Sequence, residues 1–289
     1  MKKVIAIVTV YYPQKEHIVN INIIKNQVDI VIICDNSSFN NEALFKHLSG
    51  VQYIYWGKNL GLSKSFNNIL KNDKFQWHAD DYIIFFDQDT TIPLNHINSL
   101  IKDYEYLLNM GYKVGCIGPA YYNKTMQQME IPKVKKYISN SIIKVRNIIT
   151  TSMICQYSKI ETIKFWNEDI FLDLADFDLC WRFNNENMAC FMTFNSVIEH
   201  SVGEGKENIL FFSLRISKPF REYYQTRDCL YLLSKNYVPF YMKLRFVLNL
   251  TLRPILHLIF LNHSIDRFKF IVKGFKDYLN KVHGEIILK

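Results

Sequence analysis

Residues 82–90, Tyr-Ile-Ile-Phe-Phe-Asp-Gln-Asp-Thr, constrain this chain more than any other stretch: five uncharged apolar or aromatic residues run straight into Asp87 and Asp89. A short run rich in β-branched and aromatic side chains suits a strand buried on both faces of a parallel sheet. Carboxylates at its carboxyl end stand where open α/β sheets place their ligands. Two acids this close repel one another unless a cation lies between them, and hard oxygen ligands suit Mg²⁺ or Mn²⁺ in contact with phosphate. The stretch reads as a nucleoside-diphosphate site or, alternatively, as a polar turn in which Asp87 caps the next helix and Asp89 is solvated.

The chain upstream alternates apolar runs with helical spacing, as expected of an α/β fold with a mainly parallel, Rossmann-like sheet flanked by helices. Strands are expected at residues 3–10, 28–34 and 51–56, with helices at 16–26 and 64–70. The second strand ends in Asp35-Asn36-Ser37-Ser38, where Asp35 either meets a base or ribose or caps a helix beginning near Asn41. The loop Gly57–Ser63 carries Gly61, suited to close backbone approach or positive φ, with Asn59 and Asn67 offering amides nearby. Beyond the Asp87 strand, a helix is expected at 94–110 and a strand at 114–119. Residues 120–145 are basic and motif-poor and read as a loop, and 148–154 reads as a strand.

A second cluster of acids, Asp169 to Asp178, leads into an expected helix from Asp176. Asp176 at a helix start is either an N-cap or a base facing a cavity. His200 ends the last apolar strand, 188–198, and enters a glycine-containing loop; it is either structural or a third metal ligand, on a loop able to close over nucleotide. Pro219 opens a helix carrying Arg221 and Arg227 to 233. The formal charge of +8 is uneven: residues 1–217 hold 22 Lys and Arg against 22 Asp and Glu, while 218–289 hold 13 against 5. The whole excess lies in the tail, which suggests an anionic partner there. Its longest uncharged run, Pro254 to Ile265, is 12 residues, short of the roughly 17–25 that span a bilayer. Lying on a membrane suits it better; packing on the preceding domain or a second subunit, as in a homodimer, is the alternative. Six cysteines without a C-x-x-C pair, and no signal-like segment after Met1, suggest reduced thiols in a cytoplasmic protein.

From about residue 4 to 235 these motifs resemble the inverting family 2 glycosyltransferases of the GT-A fold, most closely the bacterial rhamnosyltransferases of surface-polysaccharide assembly. Asp35-Asn36-Ser37, Asn59-Leu60-Gly61 with Asn67, and Asp87-Gln88-Asp89-Thr90 resemble the family's nucleotide turn, its N-x-G…N segment and its D-x-D motif. Asp176-Phe177-Asp178-Leu179-Cys180-Trp181-Arg182 is similar to E-D-x-D-L-C-W-R, His200-Ser201-Val202-Gly203 to H-x-x-G, and residues 221–228 to R-x-Y-Y-x-x-R-N. Ala175, Asp228 and Met153 depart from that pattern.

The resemblance implies a catalytic domain over 1–235 and a basic, amphipathic helical region over 236–289. It makes Asp176 the general base and assigns Asp87, Asp89 and His200 to a divalent cation, Mg²⁺ or Mn²⁺. Donor contacts would come from Thr9, Tyr11, Asp35, Asn59, Gly61, Asn67, Asp87, Gln88, Arg221 and Arg227; for the two arginines, ion pairs with Glu222 or Asp228 are the alternative. The implied donor is dTDP-rhamnose or a UDP-sugar. The implied acceptor is a lipid-linked saccharide, reached from a peripheral, anionic inner membrane face. Two other classes fit less well. A nucleotidyltransferase would need a glycine-rich loop that Val8–Pro13 lacks, and a nucleic-acid-binding tail would not set its aromatics among Leu and Ile at helical spacing. No nucleic-acid partner is expected.

Overall fold

Four apolar runs pair side by side as parallel strands: β1 (Val4–Val10), β2 (Ile30–Asp35), β3 (Val51–Tyr55) and β4 (Tyr82–Asp87). They are joined through α1 (Lys15–Lys25), the short α2 (Glu42–Phe45) and α3 (Gly61–Leu70). In this computed structural model, which describes residues 2–124, 126–200, 205–209, 212–216, 218–260 and 263–287, they stand in the order β3-β2-β1-β4. The chain builds outward from β1 and then returns to its other side, so a switch point opens between β1 and β4. The register there places Thr9 beside Asp87, and Val10 beside Asp35.

The helix α4 (His96–Asn109) leads into β5 (Val114–Asn123). The expected loop at 120–145 is instead largely extended: β5 runs on to Asn123, followed by β6 (Gln128–Glu130), β7 (Lys135–Tyr137) and β8 (Ile142–Val145). Pairing supplies what composition hid, since β8 lies antiparallel to the strand of residues 189–200 and buries Ile142, Ile143 and Val145. Conversely, the run at 148–154 contributes only its end, as β9 (Met153–Gln156), wedged antiparallel between β4 and β5 and followed by α5 (Tyr157–Thr162). Next come α6 (Ala175–Asn185) and β10 (Ala189–His200), the latter parallel to β5. A separate hairpin pairs β11 (Gly205–Ile209) with β12 (Phe212–Ile216).

Both faces of the sheet are buried, as the uninterrupted apolar strands require. One face packs Ile5, Ile32, Ile83 and Phe85 against Phe66 of α3 and Leu179 and Trp181 of α6. The other packs Val8, Ile33, Ile84 and Phe86 against Ile21 and Ile24 of α1 and Leu100 and Tyr104 of α4. The six cysteines are all unpaired and buried.

The tail forms α7 (Arg221–Leu233), α8 (Phe240–Phe260) and α9 (Ser264–Leu279). Met242 and Phe246 of α8 enter the first core face, and Arg267 of α9 donates to the buried Glu222 of α7 at 3.1 Å. The Tyr223 hydroxyl donates to Asp277 Oδ2 at 2.8 Å. Packing on the preceding part of the chain thus occupies one side of these helices. On the other side of α8, Phe240, Leu244, Leu248, Leu252, Ile255 and Ile259 form a single stripe, each between 46 and 82% exposed. No helix among the described residues is long and apolar enough to cross a membrane.

Gly274 is where α9 meets α7 most closely, since a Cβ there would lie 2.7 Å from the Tyr223 carbonyl oxygen. Gly274→Val is therefore expected to destabilise the protein by about 1–3 kcal/mol, the usual range for overpacking. A lowered urea midpoint measures this; an unchanged midpoint would mean that α9 is not seated on α7 in solution.

Candidate functional site

The switch point opens into a cavity of about 750 Å³. Thr9, Val10 and Tyr11 line it from the end of β1, and Asp87, Gln88 and Asp89 from the end of β4. Gln88 locks these two ends together: its Oε1 accepts from Tyr11 N at 2.8 Å and its Nε2 donates to the Tyr11 carbonyl at 3.2 Å. The facing wall is the start of α3. Asn59 Oδ1 accepts from Gly61 N at 3.0 Å, and Asn36 Oδ1 accepts from Leu60 N at 3.1 Å. Gly61 has φ +74, and a Cβ on it would fall 2.5 Å from the Phe171 carbonyl oxygen. Both reasons for glycine therefore apply there, and the contact seats the segment leading to α6 against the pocket.

Asp87 and Asp89 differ in environment. Asp89 is exposed, whereas burial pushes the Asp87 carboxyl above the usual range; a hydrogen bond from Thr151 Oγ1 at 2.5 Å offsets this in part, and Asp89 adds to it. Such a pair suits a hard divalent cation, which would relieve both the desolvation and the mutual repulsion. His200 is brought near by an isolated bridge between Thr91 and Glu199, and its charge acts to lower the Asp87 proton affinity. It does not complete a ligand set here. Among the described residues, the only three His, Cys, Asp or Glu side chains whose ligand atoms lie within 4.8 Å of one another are Cys116, Cys180 and Cys190, in the core. Residues 201–203 of the expected loop motif lie outside the described residues.

Asp176 sits in the first turn of α6, half-buried, with its Oδ1 accepting from Phe177 N at 2.8 Å. Burial raises its pKa to about 7, and Cys180 and Asp87 add to the rise against the backbone amides of Phe177 and Thr150. Of its neighbours, Asp178 is fully buried and committed to Arg182 at 2.7 Å and the Tyr237 hydroxyl at 2.6 Å. Asp173 accepts from Gln225 at 3.0 Å and lies 4.0 Å from Arg221. Asp176 is the acid of this cluster that has no ion pair among the described residues.

Three expected donor contacts are turned away from the cavity. Asp35 is wholly buried, accepting from Ser37 N at 2.8 Å, Asn41 Nδ2 at 2.9 Å and the Tyr53 hydroxyl; it braces its own turn, and Asn36 faces the pocket instead. Asn67 is equally buried, bonding Trp166 through both its oxygen and its nitrogen at 2.9 Å. Arg227 is buried and paired with Asp228 at 2.9 Å, and donates to the Gly284 carbonyl at 2.7 Å and the Tyr223 hydroxyl at 3.1 Å. Arg221 does line the cavity. Thr151, Phe171, Tyr224, Glu285 and Ile286 also reach the site or its acids without having been expected there. Tyr224 lay within the motif noted at residues 221–228 and Thr151 within the run read as a strand at 148–154, but nothing in the sequence marks Glu285.

Residues 14–160, just over half of the chain, match the family described as glycosyl transferase family 2. A curated relative, the dTDP-rhamnosyl transferase RfbF of Shigella flexneri, is 26% identical over 252 residues, covering 83% of each chain. Among solved structures, GalNAc-T7 with UDP, GalNAc and Mn²⁺ superposes with a TM-score of 0.55 at 9% identity, over 97% of this chain and 58% of that one. S. aureus TarS gives 0.52 at 12% identity, over 97% of this chain and 49% of that one. The fold is thus the expected GT-A arrangement with helices added at its C-terminal end.

The placement of Arg227 generates a prediction about stability. Arg227→Met would leave Asp228 buried without its cation, and breaking a buried pair on one side typically costs about 3–5 kcal/mol. Equilibrium urea unfolding should show a loss of that size; a change within about 0.5 kcal/mol, together with weakened nucleotide binding, would return Arg227 to the pocket.

Proposed function

Because the chain belongs to glycosyl transferase family 2, and is accordingly a glycosyltransferase, we propose that it moves L-rhamnose from dTDP-β-L-rhamnose, with inversion, onto a saccharide acceptor carried by a polyprenyl diphosphate in surface-polysaccharide synthesis. The observation that carries the reading is the cavity at one end of the sheet that Asp87, Asp89 and Arg221 line together; Asp176 is not among its lining residues, but the charge of Asp87 reaches it and adds to its raised proton affinity. The donor sugar rests on the relative named as a dTDP-rhamnosyl transferase.

In this reading Asp176 accepts the proton of the acceptor hydroxyl as its oxygen attacks the anomeric carbon from the face opposite the diphosphate. A single displacement inverts the configuration and needs no protein nucleophile. A base with its pKa near the working pH combines a useful ionised fraction with proton-accepting strength. Thr9, Tyr11, Asn36 and Asn59 would bind the nucleoside, with Gly61 admitting it close to the backbone, and Arg221 would meet the diphosphate. Gln88 would hold the two strand ends at the spacing the donor needs. A divalent cation, Mg²⁺ or Mn²⁺, held by Asp89 with Asp87 would neutralise the charge left on the departing diphosphate. His200 would act on that pair through its charge from beside it. The exposed stripe of α8, within a tail carrying all the excess positive charge, would rest on the anionic inner face of the membrane, where the acceptor is anchored.

Three outcomes test this. Hydrolysis or transfer should be faster with dTDP-rhamnose than with UDP-glucose, UDP-galactose or UDP-N-acetylglucosamine, and should stop in chelator; preference for a UDP-sugar would replace the donor, and full activity in chelator would remove the cation.

Because Asp176 must be ionised to act, transfer should rise with pH up to about 7 and level off above it. Asp176→Asn should lower the rate by about 10²–10⁴-fold and abolish that rise while donor still binds. A pH profile unchanged by the substitution would assign the base elsewhere.

On the membrane, each basic group near an anionic leaflet contributes about 1 kcal/mol. Co-sedimentation with anionic vesicles should weaken with salt and be lost in Leu248→Glu/Leu252→Glu. A salt-insensitive dimer that these substitutions disperse would identify the stripe as a subunit contact instead.

A further inference from the structure

We propose that residues 282–286, beyond α9, form a strap that completes the donor pocket, and that Glu285 on it accepts hydrogen bonds from the nucleoside's hydroxyl or imide N–H groups. The inference rests on the nucleoside-diphosphate reading of the same cavity.

The strap is held on both sides of Glu285 by the face of α7 that carries Tyr224, Arg227 and Tyr231. The Tyr231 hydroxyl donates to the Val282 carbonyl at 3.2 Å, and the His283 ring stacks on Tyr231 with centroids 4.8 Å apart. Arg227 donates to the Gly284 carbonyl at 2.7 Å, and Ile286 N donates to the Tyr224 hydroxyl at 3.0 Å. Between these last two anchors, Gly284 turns the chain with φ +85, a conformation that favours glycine. The turn delivers Glu285 and Ile286 to the cavity wall. There Glu285 Oε1 accepts from Asn59 Nδ2 at 3.4 Å, and its charge is felt at the Tyr11 phenol after the effects of burial and Tyr12. The tail is thereby tied to the loop before α3, on the same cavity wall as the end of β1.

Charge decides which part of a donor Glu285 would meet. The described acids lining this cavity are Asp87, Asp89 and Glu285. The first two are adjacent and suit a shared cation, whereas Glu285 stands apart beside Asn59. A lone carboxylate repels phosphate and accepts from neutral donors. Glu285 therefore favours an orientation with the nucleoside at the Asn59 side and the diphosphate at the Asp87 and Arg221 side. It also fills a gap, because Asp35, the acid expected to contact the nucleoside, is buried with its oxygens already occupied.

Calorimetric titration of the full-length protein with dTDP, UDP and inorganic pyrophosphate in Mg²⁺ tests the assignment, with Glu285→Gln and Glu285→Ala as exposed-site variants whose fold is checked by circular dichroism. Loss of a hydrogen bond to a charged group should weaken nucleoside-diphosphate binding by about 10- to 100-fold and leave pyrophosphate binding within twofold of wild type; the donor KM should rise with kcat little changed. Equal or tighter dTDP and UDP binding by both variants would overturn the role of Glu285 and leave the donor reading intact. If the wild type binds neither nucleotide, both fall.

Discussion

Parallel pairing of β1 with β4, in the register that sets Thr9 beside Asp87, is the constraint on which the rest of the site depends. It carries a carboxylate out of a strand buried on both faces and stops it at the rim of the sheet, half in water and half in protein. Desolvation there is only partly offset by the Thr151 hydroxyl, so the position is uncomfortable for an isolated anion and well suited to one that shares a cation. The strained stretch before β9 serves the same residue: Ser152, at φ +61, donates its N–H to the Phe85 carbonyl at 2.8 Å and so holds Thr151 over Asp87.

A second organising element is α7, which faces two ways. Arg221 and Tyr224 look into the cavity, while Glu222, Tyr223 and Arg227 bond to α9, the strap or both. Burying this many charged groups is tolerable because they are matched within hydrogen-bonding distance. The arrangement makes the C-terminal helices part of the pocket's support, since the contacts that hold them converge on the helix that lines it. The outer stripe of α8 takes no part in that support, which leaves it available for the surface role proposed above.

Polar residues in recognisable motifs proved to be of two kinds, and geometry separates them. Asp35, Asn67 and Arg227 spend their hydrogen bonds on the protein itself, with Arg227 Nη2 alone of these groups buried without one. Asn59 and Gln88 use part of theirs on neighbouring backbone and keep an edge on the cavity. Both kinds would look alike in a motif, because a loop must be held in shape before it can hold a ligand.

The sequence by itself determined the alternation of strands and helices, the position of Asp87 and Asp89 at a strand end, Asp176 at a helix start and a residue at position 61 free to adopt positive φ. Each follows from local rules: apolar runs with period or length, a cap position, a φ that only glycine adopts readily. Tertiary structure decided the rest. Whether Asp35 faces a ligand or its own turn depends on where Tyr53 and Asn41 arrive. Whether Ile142 to Val145 is loop or strand depends on β10 lying alongside. That Glu285 stands beside Asn59, 226 residues away along the chain, depends on α8 and α9 folding back over α7. No local pattern encodes such contacts, because burial and hydrogen-bond satisfaction belong to pairs of residues that only the folded chain brings together.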